Sequence, residues 1–194
     1  MLSTDAAMLP LDDPRWHELS HAYGAGTDIA AWLTELRAAN PLCHDLSEMH
    51  PWHSLCHQWT VYPATFAAIP HVIDVVSQHP AADQSRIALL TFVGWCVAIT
   101  YLPGGECPPY LVEAYDDAVT RTTRLICESL PFASVDTDVP FGFRQLLASL
   151  AACRGDAPIA FVLSEINESF RCPKCNDWVR LLEASMNPLS DAAQ

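Results

Sequence analysis

Two cysteines near the carboxyl end have the spacing of a metal site. Cys172 and Cys175 are separated by two residues, so their thiolates can bind one Zn²⁺ from a single tight turn. No second pair of this kind follows, and a closed tetrahedral site would need distant ligands such as Cys107, Cys153 or a histidine. A redox-active dithiol and a metal-free turn between helices are the other interpretations of this spacing. No cofactor is predicted apart from structural zinc at Cys172 and Cys175.

Histidines are concentrated in one part of the chain, with six of the eight between His44 and His79. His53 and His57 are four residues apart, as two zinc ligands on one helix face must be, but the glutamate of the zinc-protease motif is absent. A metal-dependent enzyme that uses residues 44–79 is therefore the alternative to a binding function. The competing interpretation gives His57 and His71 hydrogen-bonded structural roles.

The other common catalytic patterns are missing from the sequence. There is no Gly-x-Ser-x-Gly nucleophile turn and no glycine-rich phosphate loop. Asp12 and Asp13 have the position of a helix cap, and Asp116 and Asp117 that of a solvated helix face, rather than of paired catalytic carboxylates. Basic residues are too few for a nucleic-acid surface. The sequence therefore predicts that the protein is not an enzyme.

Negative charge is the most informative global property of the chain. The formal net charge is −13, and the first 120 residues hold fourteen acidic against three basic side chains, whereas the remainder is nearly balanced. Such a field raises the rate of encounter with cationic proteins, although solubility alone is the simpler interpretation. The acidic residues that we expect to form a partner-binding surface are Asp45, Glu48, Glu113, Asp116, Asp117, Asp136 and Asp138. Trp59 is the side chain that we expect to anchor the partner.

Apolar residues recur at helical spacing along most of the chain. Residues 52–59 have one apolar helix face, and Pro63 suits the first turn of a second helix that continues to residue 76. The same reasoning predicts helices over 14–23, 29–39, 84–102, 109–130, 139–153 and 158–170. The predicted caps are Asp12 or Asp13 for the first of these helices, and Asp83 and Asp138 for two later ones. Alternation of the strand type is not found. The expected fold class is all-α, with about eight helices.

The central segment also resembles a known group of proteins. Residues 54–58 (SLCHQ) and 62–72 (YPATFAAIPHV) are similar to uncharacterised bacterial proteins with HEAT-like helical repeats, over much of the first half of the chain. Some of those proteins are encoded as immunity partners of secreted polymorphic toxins. They tend to have a small residue after the His-Gln pair, where this chain has Trp59. The resemblance implies a repeat fold and protein binding, and it implies no catalytic residue.

Helix pairs at intervals of roughly 40 residues are typical of HEAT and armadillo repeats. We therefore expect one domain over residues 1–194, an irregular α-solenoid with a flexible tail at 187–194; a globular helical bundle is the alternative. The amino terminus lacks the basic start and apolar core of a signal peptide, and a cytoplasmic protein is expected. The expected function is that of an immunity protein that neutralises a basic bacterial toxin. A scaffold or regulatory module is a further alternative.

Overall fold

The described part of the chain is mostly helical. This computed structural model describes residues 8–38, 50–102, 105–135, 142–164, 169–171 and 178–180. Its α-helices are α1 Thr27–Ala38, α2 His50–Leu55, α3 Pro63–Ser77, α4 Gln84–Ile99, α5 Val112–Ser129, α6 Phe143–Cys153 and α7 Ala157–Ser164. Short 3-10 helices span Pro14–His17, Pro109–Leu111 and Leu130–Phe132. The prediction of a mainly α-helical protein is confirmed. Within these ranges no helix combines the length and the apolar character needed to cross a bilayer.

Short β-hairpins interrupt the helices, and the sequence pattern did not predict them. Antiparallel pairs form between β1 (Ser20–His21) and β2 (Gly24–Ala25), between β3 (Cys56–His57) and β4 (Thr60–Val61), and between β5 (Ser169–Arg171) and β6 (Trp178–Arg180). Strands of two or three residues are too short to show the apolar alternation from which strands are recognised. The expectation that the chain lacks strands is therefore wrong at three connections.

The helix predicted over residues 14–23 is wrong beyond its first turn. Asp13 caps this turn as predicted, because its carboxylate accepts a hydrogen bond from a backbone amide of the turn at 2.9 Å. The chain then turns into β1, and the Gly26 amide donates a hydrogen bond to the Leu19 carbonyl at 2.7 Å. Trp16 and Leu19 are both buried. A 3-10 turn followed by a hairpin therefore buries the apolar residues whose spacing predicted a helix.

The later helix boundaries depend on their caps. Asp83 caps α4 as predicted, by accepting a hydrogen bond from an amide of the first turn at 2.8 Å. Helix α6 begins at Phe143, later than predicted, with Gly142 as its N-cap. The predicted cap Asp138 and the predicted flexible tail at 187–194 lie outside the described residues.

Helices that are two apart in the chain pack against each other. Helix α3 packs against α1 and α5, and α4 packs against α6. Helix α7 packs on α6, and α5 contacts α4 and α6 as well. Most side chains of α3 and α4 are buried, so these two helices form the centre of the packed structure.

The contact between α4 and α6 requires a glycine. A Cβ atom at Gly94 would lie 2.1 Å from the Ser149 Cβ atom and 2.5 Å from its Cα atom. The Ser149 hydroxyl oxygen also lies 3.4 Å from the Thr91 carbonyl oxygen across this contact. Because any side chain at Gly94 would overlap the backbone of α6, only glycine allows the two helices to approach this closely.

A buried arginine joins α4 to α5. The side chain of Arg86 is 4% exposed. Its guanidinium group donates hydrogen bonds to the His79 carbonyl at 2.8 Å and to the Leu125 carbonyl at 3.1 Å. The same group also donates to the Glu128 carboxylate, at 2.7 Å. The positive charge inside the structure is thus compensated by oxygen atoms from α5 and from the segment that follows α3.

A buried histidine holds the amino-terminal segment on α3. The Nδ1 atom of His71 lies 2.8 Å from the Arg37 guanidinium group, and the Nε2 atom lies 2.8 Å from the Leu9 carbonyl. A guanidinium group can only donate, so Nδ1 accepts and Nε2 carries the proton that is donated to the carbonyl. The ring is therefore neutral. The predicted structural role of His71 is confirmed by these two contacts.

Lowering the pH is expected to destabilise the fold through His71. Burial, with a smaller effect of the Arg37 charge, lowers the pKa of His71 from 6.5 to about 4, against the opposing effects of the Leu9 carbonyl and Asp74. Between these two pH values the unfolded chain binds a proton that the folded chain does not bind. The stability that neutral His71 provides is therefore complete above pH 6.5 and is lost as the pH falls towards about 4. The loss approaches about 3 kcal/mol.

Urea unfolding of the wild type and of His71→Gln at several pH values in this window tests the effect. We expect the free energy of unfolding of the wild type to fall more steeply with decreasing pH than that of the variant. Equal slopes for the two proteins would show that His71 does not control this pH dependence.

Candidate functional site

A strained turn between β3 and β4 carries Trp59. Gln58 and Trp59 form its two-residue loop, with φ angles of 48° and 61°. Positive φ at both positions is the property of a type I′ turn, where asparagine and glycine are the usual residues. A bulky residue in this conformation costs roughly 1–3 kcal/mol of strain. They are the only non-glycine residues with positive φ in the described ranges. Strain of this kind is concentrated at functional positions in proteins.

The turn places the Trp59 indole on a cluster of aromatic rings. Its ring centroid lies 5.0 Å from that of Trp95 in α4 and 6.0 Å from that of Phe161 in α7. The Trp95 and Phe161 rings are themselves 6.4 Å apart. Trp59 nevertheless remains 47% exposed. The aromatic cluster Trp59, Trp95 and Phe161 therefore presents a large apolar side chain to solvent on a base of fixed rings.

A cavity of about 360 Å³ lies between α4, α6 and α7, next to this cluster. It is lined by Thr91, Phe92, Gly94, Trp95, Ala98, Gln145, Ala148, Ser149, Ala160 and Ser164. None of these side chains is charged, and most of the lining is apolar. Trp95 belongs both to the cavity wall and to the aromatic cluster. The volume and the lining are those of a small-molecule pocket in a protein.

Three of the acidic residues that were predicted to bind a partner lie on α5. Glu113 and Asp116 are exposed, and Asp117 is partly buried one helical turn beyond Glu113. The Asp117 carboxylate lies 3.8 Å from the guanidinium group of Arg121, so part of its charge is compensated within α5. Asp45, Glu48, Asp136 and Asp138 lie outside the described residues. Among the described residues, the negative charge of α5 that no arginine compensates is thus carried by Glu113 and Asp116.

Arginine side chains beside α5 are occupied by internal ion pairs. Arg121 lies 2.8 Å from the Asp74 carboxylate, which also lies 3.4 Å from Arg37. A second, polar cavity of about 440 Å³ opens here, lined by Met8, Pro70, Asp74, Ala114, Asp117, Arg121 and Arg124. Arg121 pairs with both Asp74 and Asp117 in the wall of this cavity. Because the lining combines charges of both signs, it does not form a purely positive or purely negative surface.

The predicted histidine pair does not share a helix face. Helix α2 ends at Leu55, so His53 lies on the helix and His57 lies in β3. The Nδ1 atom of His57 is 3.1 Å from the Tyr23 hydroxyl group, a contact that joins the first two hairpins. His57 thus has the hydrogen-bonded role that was one of its two interpretations. The helix was expected to continue, but the chain leaves it to form the turn that carries Trp59.

The described residues contain no group of three or more His, Cys, Asp or Glu side chains that could bind a metal ion. Cys172 and Cys175, the predicted zinc ligands, lie outside the described residues. In the part of the chain that the structure describes, the free thiols are those of Cys56, Cys96, Cys107, Cys127 and Cys153. Burial raises the pKa of Cys153 to about 12 and that of Cys107 to about 11. Neither thiol is therefore a thiolate near neutral pH.

Sequence reasoning singled out Trp59 and missed the residues around it. Trp95 and Phe161 lie within helices predicted over 84–102 and 158–170, but neither residue was predicted to belong to a site, and no sequence signal marked the cavity. The apolar spacing that predicted the last helix does not identify its buried side, because Ile159 and Val162 are about half exposed, whereas Ala160 is buried. Comparison of the chain with protein families, with curated proteins and with solved structures found no match.

Proposed function

We propose that this chain is a binding protein for a cationic protein, and that it acts as an immunity partner of a basic bacterial toxin. The observation that carries the proposal is the conformation of the turn at Trp59. The chain accepts left-handed backbone at a tryptophan and keeps the indole about half exposed. An exposed tryptophan fixed on other rings is the type of residue that provides most of the energy of a protein interface.

The negative charge of the chain favours a basic protein as its partner. The chain has a net charge of −13. Carboxylates already form ion pairs with Arg37, Arg86 and Arg121. Glu113 and Asp116 are exposed on α5 without an arginine partner within ion-pair distance in the described residues. A protein with this charge distribution associates faster with a basic surface than with a neutral one. The active surface of a toxin that acts on nucleic acid would be such a surface.

The packing of the helices supports the finer proposal of a repeat fold. In an α-solenoid, each helix packs against the equivalent helix of the next pair, two positions along the chain. The contacts of α3 with α1 and α5, and of α4 with α6, follow this rule. We propose an irregular solenoid of the HEAT type. The resemblance of residues 54–72 to repeat proteins that include immunity proteins favours the same conclusion.

Capture from a lysate of the native cells at low salt, followed by purification of the captured protein, tests the function. We expect a basic protein that stops bacterial growth when expressed alone and permits growth when this chain is coexpressed. Titration calorimetry then measures its affinity for variants. Trp59→Gly removes the indole and suits the left-handed backbone, so we expect an intact fold and affinity reduced by about tenfold or more.

Asp116→Lys tests the acidic surface, and Glu35→Lys on α1 is its matched control with the same change in net charge. We expect Asp116→Lys to weaken binding by about tenfold and to reduce its dependence on salt, and Glu35→Lys to have a much smaller effect. Full affinity in both Trp59→Gly and Asp116→Lys would contradict the proposed interface. A purified partner that is not basic would contradict the proposed function.

A further inference from the structure

The cavity between α4, α6 and α7 is not the result of loosely packed helices. At Gly94 and Ser149, which lie at its edge, α4 and α6 approach so closely that no side chain fits on the glycine. The same two helices then leave about 360 Å³ between them and α7. An apolar space of this size, partly open to solvent beside a tight contact, is suited to binding an apolar ligand.

The walls of the cavity are held in place by further aromatic rings. The ring centroid of Phe92 lies 4.1 Å from that of Trp52, which in turn lies 4.8 Å from that of Trp32. Trp95 contacts Trp59 and Phe161. Because Phe92 and Trp95 each pack on further rings, rotating either side chain to fill the cavity would break these contacts. It is a space that is formed before a ligand enters.

The polar groups of the cavity define the hydrogen bonds that a ligand can make. Thr91, Ser149 and Ser164 donate their hydroxyl protons to backbone carbonyls at 2.9 Å, which leaves oxygen lone pairs as acceptors. The side-chain oxygen of Gln145 accepts a hydrogen bond from the Gly142 amide at 3.2 Å. The side-chain NH₂ group of Gln145 has no hydrogen-bond acceptor among the described residues, so it can donate to a ligand. A ligand hydroxyl group can accept from this amide and donate to a serine or threonine oxygen.

We propose that this cavity binds a small uncharged molecule with a flat apolar body of about two fused rings and one hydroxyl group. An engineered apolar cavity of about 150 Å³ accepts benzene, so a space more than twice as large accommodates a two-ring molecule. The lining excludes charge, because no lysine, arginine or acidic residue would compensate an ion there. This site is separate from the acidic surface of α5, and Trp95 connects it to the aromatic cluster.

Titration calorimetry of the full chain with 2-naphthol tests the site. We expect saturable binding with one molecule per chain. Naphthalene-2-sulfonate has the same rings and a negative charge, and we expect it to bind at least about tenfold more weakly. Gln145→Glu keeps the oxygen that caps α6 and removes the amide donor, so it should weaken 2-naphthol binding by about threefold to tenfold.

Ala148→Leu places a larger side chain in the cavity, and Ala31→Leu makes the same change at an exposed position of α1. We expect Ala148→Leu to abolish 2-naphthol binding without lowering the unfolding temperature, and Ala31→Leu to leave binding unchanged. Absence of saturable binding to the wild type would overturn the proposal. Equal affinity for the sulfonate, or full affinity in both Ala148→Leu and Gln145→Glu, would overturn it as well.

Discussion

Arg86→Ala is expected to lower the free energy of unfolding by about 3–5 kcal/mol, as measured by urea denaturation at neutral pH. Arg86 is buried, and its guanidinium group is the hydrogen-bond donor to two backbone carbonyls and to Glu128. Alanine leaves these carbonyls without their donor and opens a space between α4 and α5. Because both effects act in the folded state, the variant loses stability rather than partner affinity.

Arg124→Ala is the matched control, because Arg124 pairs with the same carboxylate from the surface. Its side chain is 69% exposed, and its Nε atom lies 3.9 Å from the Glu128 carboxylate. An exposed pair of this kind contributes little, so we expect a change of at most about 0.5 kcal/mol. Similar losses in the two variants would mean that the charge of Glu128, and not the buried hydrogen bonds, determines the effect of Arg86.

Gly94→Ala is expected to destabilise the protein by about 2–3 kcal/mol, although alanine is the better helix former by about 1 kcal/mol. The added methyl group would lie 2.1 Å and 2.5 Å from the Cβ and Cα atoms of Ser149. Backbone atoms cannot avoid it by a change of rotamer, so α4 and α6 must separate. Thermal and urea unfolding measure the loss.

Two further variants distinguish the steric overlap with Ser149 from other effects of the Gly94→Ala substitution. Gly24→Ala adds the same methyl group where only the His21 side chain lies near, at 3.7 Å, and we expect a change within about 0.5 kcal/mol. Ser149→Gly removes two of the three clashing atoms, Cβ and Oγ, so the double variant should recover part of the stability lost in Gly94→Ala. A stabilising Gly94→Ala would show that helix propensity exceeds the cost of moving α6.

Some residues of the candidate site could be predicted from the sequence, and others could not. Trp59 was predicted as an anchor from the sequence, and the structure gives it an exposed position on a strained turn. The acidic residues of α5 were read from helical periodicity, which places Glu113 and Asp116 on a solvent-facing side. The pairing of Asp117 with Arg121 was not expected, since four-residue spacing allows such a pair but does not decide it.

Local sequence signals determined most of the helices. The caps at Asp13 and Asp83, the proline at the start of α3 and the apolar periodicity act over a few residues, so they can be read without the fold. They did not reveal the first hairpin, because the buried positions of Trp16 and Leu19 fit a helix as well as a turn followed by a strand. Spacing alone cannot distinguish two backbones that bury the same residues.

The sequence by itself determined a mainly helical protein with strong negative charge and no familiar catalytic motif. Only the tertiary structure decided that Trp59 packs on Trp95 and Phe161, that Gly94 contacts Ser149, and that three helices line an apolar cavity. Each of these features joins residues more than thirty positions apart in the chain. Their contact depends on the angles and distances between packed helices, which no local pattern of residues specifies.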